Sequence, residues 1–341
     1  MTEKLLEIKH LEVSFKTYAG TVQAVRDISF HINKGETLAL VGESGCGKTV
    51  TAKSIIGILP KHQTVIGSNS QIILNGRDIL KLPEKEKRKI RGNEVSMIFQ
   101  DPMTSLNPTA RIGAQIAEGI KLHTEKTHQE IYAEVLRLLE LVRIPNPKVR
   151  MNQYPHEFSG GMRQRAMIAV ALACNPDLLI ADEPTTALDV TIQAQIMDLM
   201  EDIQKEYHTA IILVTHDLGI VAAHADRIQV MYAGTLMENG TVDEIFYQPK
   251  HPYTMALLKS VPTLNMENKA ELYSLHGTPP DLLNPPLGCS FAPRCEYGMK
   301  ICRKAAPELT VFSDTHTCKC WMLSKEAKEH GIKELSGGVR V

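Results

Sequence analysis

The sequence predicts an α/β fold, in which a parallel sheet core carries an antiparallel β-subdomain before it, an inserted helical subdomain and a cysteine-rich C-terminal extension. Three observations carry this. A complete G-x-x-x-x-G-K-[ST] run, Gly42-Glu43-Ser44-Gly45-Cys46-Gly47-Lys48-Thr49, stands between an apolar stretch and a helix-compatible one. Short apolar runs that end in polar residues alternate downstream with segments of helical periodicity. From Tyr253 onward proline becomes dense (Pro262, Pro279, Pro280, Pro285, Pro286, Pro293) and a cysteine cluster follows.

In chain order, Leu5 to Ile32 shows short apolar alternations (Leu11, Val13, Phe15; Ile28, Phe30, Ile32) broken by Gly20, which predicts antiparallel strands. Thr37 to Val41 is a strand, and Thr51 to Ile58 is the helix after the glycine-rich loop. Asn75-Gly76 marks a hairpin, and Val95 to Phe99 a strand ending at Gln100. Ile112, Ile116 and Ile120, then Ile131, Val135, Leu138, Leu139 and Val142, repeat at helical spacing, closed off by Pro145-Asn146-Pro147. Gly161 to Cys174 predicts a helix, Leu178 to Ala181 a buried strand tipped by Asp182-Glu183. The amphipathic helix Ile192 to Glu206 precedes the strand Ile211 to Val214, which ends at Thr215-His216. Alternation of this kind places a site at the carboxyl ends of parallel strands. The expected division is 1–250 for the nucleotide-binding domain, with its helical insert at about 103–175, and 251–341 for the extension.

At 341 residues and 37.9 kDa the chain exceeds one average domain. A net charge of −1, from 38 basic and 39 acidic residues, gives no footprint for nucleic acid and no general attraction to anionic lipid. The first residues are too charged for a signal segment, and the longest apolar run, Ala166 to Cys174, is about half a membrane span. The expectation is a cytosolic chain whose membrane role, if any, comes through a partner.

The glycine-rich loop implies nucleoside triphosphate. Its glycines let successive N–H groups face the phosphates, and the following helix presents its positive end to the same charge. Lys48 then neutralises phosphate and Thr49 offers a hydroxyl to Mg²⁺. A second anion cradle, Ser159-Gly160-Gly161, opens a later helix after Phe158 and before Met162. One chain has no use for two cradles around one triphosphate, unless two chains meet head to tail and each caps the other's nucleotide.

With these elements the sequence resembles the ATP-binding-cassette family, whose signature normally reads Leu-Ser-Gly-Gly-Gln. Phe158 and Met162 depart from that signature while its Ser-Gly-Gly core stands. The resemblance implies a RecA-like parallel core and ATP as the nucleotide, and it assigns roles by position. Asp182 matches the acid that orients Mg²⁺ through water, and Glu183 the catalytic carboxylate that polarises the attacking water. Gln100 matches the glutamine that touches Mg²⁺ and water. Ala187-Leu188-Asp189 matches the loop crossing the dimer interface, and His216 the switch histidine at the γ-phosphate. Adenine stacking falls to Phe15, with Tyr18 as the alternative.

Longer runs narrow the resemblance to the oligopeptide/dipeptide branch of bacterial importers. These are Arg91-Gly92, Met97 through Pro108, Asp182 through Thr191, His251-Pro252-Tyr253-Thr254, Ser260-Val261-Pro262, and Gly288-Cys289 on through Phe291-Ala292-Pro293-Arg294-Cys295. The branch implies an ATPase on the cytoplasmic face of the membrane, paired with a second cassette subunit as heterodimer or homodimer. It also implies two transmembrane permease subunits, docked near Gln100 and the helical insert, and an extracellular peptide-binding protein reached indirectly. Peptide is the expected cargo, with nickel and glutathione as the alternatives within the branch; a soluble regulatory ATPase is the reading from another class.

Five of the seven cysteines, Cys289, Cys295, Cys302, Cys318 and Cys320, fall in one short stretch, which in a cytosolic chain reads as a metal site. In the importer branch four cysteines ligate an iron–sulfur cluster in at least some members. Cys289, Cys295 and Cys302 match the first three, and Cys320, followed by Trp321, suits the fourth better than Cys318. Four thiolates suit a [4Fe–4S] cluster and suit zinc equally.

Overall fold

The computed structural model describes residues 3–186, 188–260 and 275–329. Ala187, Val261 and Pro262, singled out above, lie outside them. Two sheets organise the chain. The first is antiparallel and built on a long hairpin, β1 (Lys4–Thr17) against β2 (Gly20–Asn33), whose register closes at Thr17 and Gly20. β4 (Thr64–Ile66) and β5 (Gln71–Leu74) pair with β1, and β5 turns into β6 (Arg77–Asp78). That turn is Asn75-Gly76, both with positive φ, as a tight two-residue hairpin requires.

The second sheet has eight strands in the order β12-β13-β11-β10-β3-β9-β8-β7. Its parallel centre is β10 (Arg227–Tyr232), β3 (Thr37–Val41), β9 (Ala210–Thr215), β8 (Leu178–Asp182) and β7 (Val95–Ile98). All of these strands are buried throughout, as expected where helices cover both faces. The sheet is therefore mixed rather than wholly parallel. β11 (Thr235–Thr241) runs back against β10, and β13 (Thr317–Cys318) and β12 (Thr310–Val311) extend the same edge.

Helix α1 (Lys48–Ile56) follows the glycine-rich loop one turn earlier than its apolar spacing suggests. α2 (Glu84–Ile90) and the short α3 (Pro102–Ser105) flank β7. The insert contains α4 (Ile112–His123), α5 (His128–Leu141) and the short α6 (Pro147–Arg150), the first two carrying the two apolar runs in turn. Thr127 breaks them apart by capping α5, its hydroxyl accepting the Glu130 N–H while the Glu130 carboxylate accepts the Thr127 N–H. α7 (Gly160–Ala171), α8 (Val190–Tyr207) and α9 (Leu218–His224) return the chain to the sheet. Among the described residues no helix is long and apolar enough to cross a membrane.

The C-terminal stretch is not a separate body. After α10 (Val242–Tyr247), α11 (Pro252–Lys259) buries Tyr253 and Leu258 in a cluster with Val230 and Tyr232 of β10. Phe291, Cys289 and Cys295 pack against the same cluster, and β13 pairs with β11. The last described helix is α12 (Lys325–Glu329).

Candidate active site

The adjacent parallel strands β3, β9, β8 and β7 end on one side of the sheet, and each delivers polar residues there. β3 runs into the glycine-rich loop. Gly42 has φ 151°, and a Cβ there would stand 2.0 Å from the Met231 carbonyl oxygen; at Gly47, φ 106°, it would meet the Ala24 oxygen at 2.5 Å. Side chains are excluded at both positions by backbone, so only glycine fits the path the loop takes there. Lys48 is buried, its Nζ donating to the carbonyls of Gly42 (2.8 Å) and Glu43 (3.0 Å). Cys46 is buried beside it at 3.8 Å, and desolvation raises its thiol pKa, so its side chain packs while its backbone shapes the loop.

β8 brings the acids. The Thr49 hydroxyl donates to Asp182 Oδ1 at 2.9 Å, and burial raises the Asp182 pKa against the lowering effect of that bond. A hydroxyl and a carboxylate joined at the loop form the hard oxygen set that suits Mg²⁺. Glu183 takes a left-handed backbone, φ 47°, fixed by its N–H donating to the Val214 carbonyl at 2.8 Å. A non-glycine residue in that region costs about 1–3 kcal/mol, and here the conformation turns the carboxylate into the cleft. Its Oε2 accepts from Gln100 Nε2 (2.8 Å) and the Thr186 hydroxyl (3.0 Å), and Oε1 faces His216 Nδ1 at 3.4 Å.

Lys48, Thr49, Gln100, Glu183 and His216 line one cavity of about 460 Å³ together with Ser44, Gly45 and Gly47. Residues predicted from distant stretches of the sequence thus meet around one space. Ser159, Gly160, Gly161 and Asp189 are not among its lining residues. In this chain Ser159 caps α7, accepting the Met162 N–H, and Asp189 caps α8, accepting the Ile192 N–H. Nor do the aromatics line it. Phe15 packs half-buried beside the core under β1, and Tyr18 stands fully exposed at the hairpin turn.

Three contacts had no signal in the sequence reading. Thr186 holds Glu183, as above. Gln164 on α7, buried, donates to the Pro184 carbonyl at 2.5 Å and so ties the second cradle's helix to the acid-bearing loop. Arg294 donates to both carboxylate oxygens of Glu43, at 2.6 and 3.0 Å.

Cys289 and Cys295 pack beside the cluster that holds Tyr232, Tyr253 and Phe291. Burial, first, and then the neighbouring thiols of Cys289, Cys295 and Cys302 push the Cys320 pKa up to about 12, and burial with Cys289 and Cys302 pushes Cys295 to about 11. The Ala292 N–H donates to the Cys289 carbonyl at 3.0 Å, and the Cys289 N–H to the Cys302 carbonyl at 2.7 Å, which ties the two turns together. Raised pKa values keep these thiols protonated, so a cation bound there would have to displace their protons. Cys318 is fully buried, pairs with Glu238 across β13 and β11, and has its pKa raised mainly by desolvation, then by Glu238. Among the described residues no three His, Cys, Asp or Glu side chains are drawn together tightly enough to hold a metal as they stand.

Comparison with known proteins gives consistent matches. The sequence fits the family model "ABC transporter" over residues 25–186 and "Oligopeptide/dipeptide transporter, C-terminal region" over 237–302. It is 54% identical to the dipeptide transport ATP-binding protein DppD of Bacillus subtilis over 338 residues, covering 99% of each chain. It is 56% identical to the oligopeptide transport ATP-binding protein OppD of the same organism, covering 95% of this chain and 90% of that one. Among solved structures, the dimeric ATP-binding cassette MJ0796, in a post-hydrolysis state bound to ADP and Pi, superposes with a TM-score of 0.62 at 25% identity. That match covers 70% of this chain and 98% of that one.

Proposed function

The chain belongs to the ATP-binding protein family of oligopeptide and dipeptide ABC transporters, and from that premise we propose that it hydrolyses ATP to drive peptide import across a bacterial membrane. The observation that carries the reading is the meeting of Lys48, Thr49, Gln100, Glu183 and His216 around one cavity, with Asp182 bonded to Thr49 at its edge. ATP enters with its phosphates on the glycine-rich loop. Lys48 then exchanges the Gly42 and Glu43 carbonyls for phosphate oxygen. Mg²⁺, when bound, neutralises phosphate charge; Thr49 and Gln100 would ligate it, and Asp182 would orient it through water.

Glu183 accepts hydrogen bonds from Gln100 and Thr186, so its carboxylate is aimed before any water arrives. It orients the water that attacks the γ-phosphorus and takes up its proton as ADP departs. His216, beside Glu183, meets the γ-phosphate. Ser159, Gly160, Gly161 and Asp189 complete the site of a second cassette, related or identical, which explains why they lie off this chain's own cavity. Adenine stacks on Phe15, with Tyr18 as the alternative. The division at about residue 250 separates cassette from extension by function even though the two share a core.

The chain sits peripherally on the cytoplasmic face. Two permease subunits dock near Gln100, α4 and α5, and an extracellular peptide-binding protein supplies cargo. In the extension, Cys289, Cys295, Cys302 and Cys320 would hold a [4Fe–4S] cluster or a zinc ion, which supplies structural cross-linking to a stretch with little apolar periodicity. The decisive experiment purifies the chain from detergent-solubilised membranes and measures ATPase with peptide-loaded binding protein. Co-purification with two multi-span subunits and a second cassette, and stimulation by peptide, is the expected result. A chain recovered alone, with ATPase indifferent to membranes and peptide, overturns the reading.

A further inference from the structure

The second residue of the phosphate loop is held from outside the cassette. The Glu43 N–H donates to the Tyr253 hydroxyl on α11 at 3.0 Å, and its carbonyl accepts from Lys48 Nζ at 3.0 Å and from the Cys46 N–H at 3.3 Å. Its carboxylate takes both arms of the Arg294 guanidinium, at 2.6 and 3.0 Å. Arg294 is itself anchored, donating to the carbonyls of Leu275 (3.1 Å) and His276 (2.9 Å) and to the Tyr232 hydroxyl (3.1 Å). Its side chain is 5% exposed and that of Glu43 24% exposed, so the pair is largely shielded from water. A planar, two-pronged contact of this kind fixes orientation as well as distance.

Resting on the reading that this loop binds ATP, we propose that Arg294 is a positioning residue for the phosphate loop. The extension, through Arg294 and Tyr253, sets the ATP affinity of the cassette. Neither residue lines the cavity, so neither touches nucleotide; they act by holding Glu43, and through it the carbonyl that Lys48 leaves when phosphate arrives. A phosphate cradle works only when its N–H groups are held close to the bound geometry, and a displacement of about 1 Å is enough to weaken it.

The test measures ATP dissociation constants for the full purified chain carrying Arg294→Gln, Glu43→Gln, both together, and Arg294→Lys. Each Gln single is expected to weaken ATP about tenfold. The double variant should be no weaker than either single, because both remove one contact. Arg294→Lys should recover part of the loss, keeping the charge without the fork. Affinities within about twofold of the parent in both singles, or fully additive losses, overturn the proposal. Should Arg294→Gln fail to fold, Glu43→Gln decides alone, since it leaves the anchors of Arg294 on Tyr232, Leu275 and His276 in place. The readout is ATP binding, so a failure of the peptide-import reading would leave this result standing.

Discussion

The hydrolytic cleft and the cysteine-rich turns of the extension treat charge in opposite ways. In the cleft the Glu183 side chain is 18% exposed and that of His216 63% exposed, and the carboxylate is steered by bonds from Gln100 and Thr186. In the extension, burial raises the thiol pKa of Cys289, Cys295 and Cys320. An open site with aimed polar groups suits a ligand that comes and goes. Thiols held protonated by burial carry no charge of their own until a cation displaces their protons. The two are joined by Arg294, which directly precedes Cys295 and grips Glu43.

The largest expected effect belongs to the cleft. Glu183→Gln keeps the shape and the Thr186 bond but cannot take a proton, so turnover should fall about 10²–10⁴-fold while ATP binding survives. Single-turnover hydrolysis beside equilibrium ATP binding separates the two, and unchanged turnover would remove Glu183 from its role. At the cysteines the effect should appear in metal content. Cys320→Ser is expected to bring iron or zinc per chain down to background and to lower the melting temperature, because metal binding there is folding energy. Cys318→Ser should retain the metal, since Cys318 pairs with Glu238 on β11. Equal metal loss in the two variants would break the assignment of Cys320.

His251 tests the seam between the regions by pH. It is fully buried, and desolvation lowers its pKa to about 4 against the raising effect of Glu238. Its Nδ1 accepts the Tyr253 N–H, while the Glu238 carboxylate accepts the His251 N–H (2.9 Å), the Lys250 N–H (2.6 Å) and a bond with His316 Nε2 (2.8 Å). Unfolded, the imidazole protonates near its ordinary value of about 6.5. Between those two values the unfolded chain binds more protons, so acid favours unfolding, and below about pH 4 the effect levels off. The cost reaches about 3 kcal/mol across the window. Urea unfolding of the parent and of His251→Asn from pH 7.5 to 4.5 should show a steeper loss in the parent. Parallel curves would mean that another group carries the acid sensitivity.

The sequence made the cleft legible because its parts are local. The glycine-rich loop is one contiguous run, and an apolar strand tipped by two acids declares both its burial and its end, as at Leu178 to Glu183. Strands β10 and β11 escaped because they bury Arg227, Gln229 and Glu238, which reads as surface. Those residues are satisfied by distant partners: Arg227 Nε donates to Glu36 at 2.5 Å, and Glu238 meets His316. The same applies to the clamp on the loop. Glu43 and Arg294 are 251 positions apart, and nothing in either neighbourhood announces the other. The cysteine spacing likewise predicts a cluster, whereas the bond from the Cys289 N–H to the Cys302 carbonyl is a property of the folded turns.

The smallest effect concerns the proposed adenine stack, for which the two aromatics differ in what else they do. Phe15 is paired with Val22 and Thr64 across its strands and packs beside the core, so removing its ring outright would confuse stacking with folding. Phe15→Leu keeps apolar volume and loses the π face. If adenine stacks there, KM for ATP should rise about two- to tenfold with kcat nearly constant, the range that about 0.5–1.5 kcal/mol allows. Tyr18 makes no core contact, so Tyr18→Ala reports stacking alone, and it should leave KM close to the parent value. The opposite pattern would move adenine to the hairpin turn. Either change stays small because the phosphates, held by Lys48 and the loop that Glu43 anchors, supply most of the grip on the nucleotide.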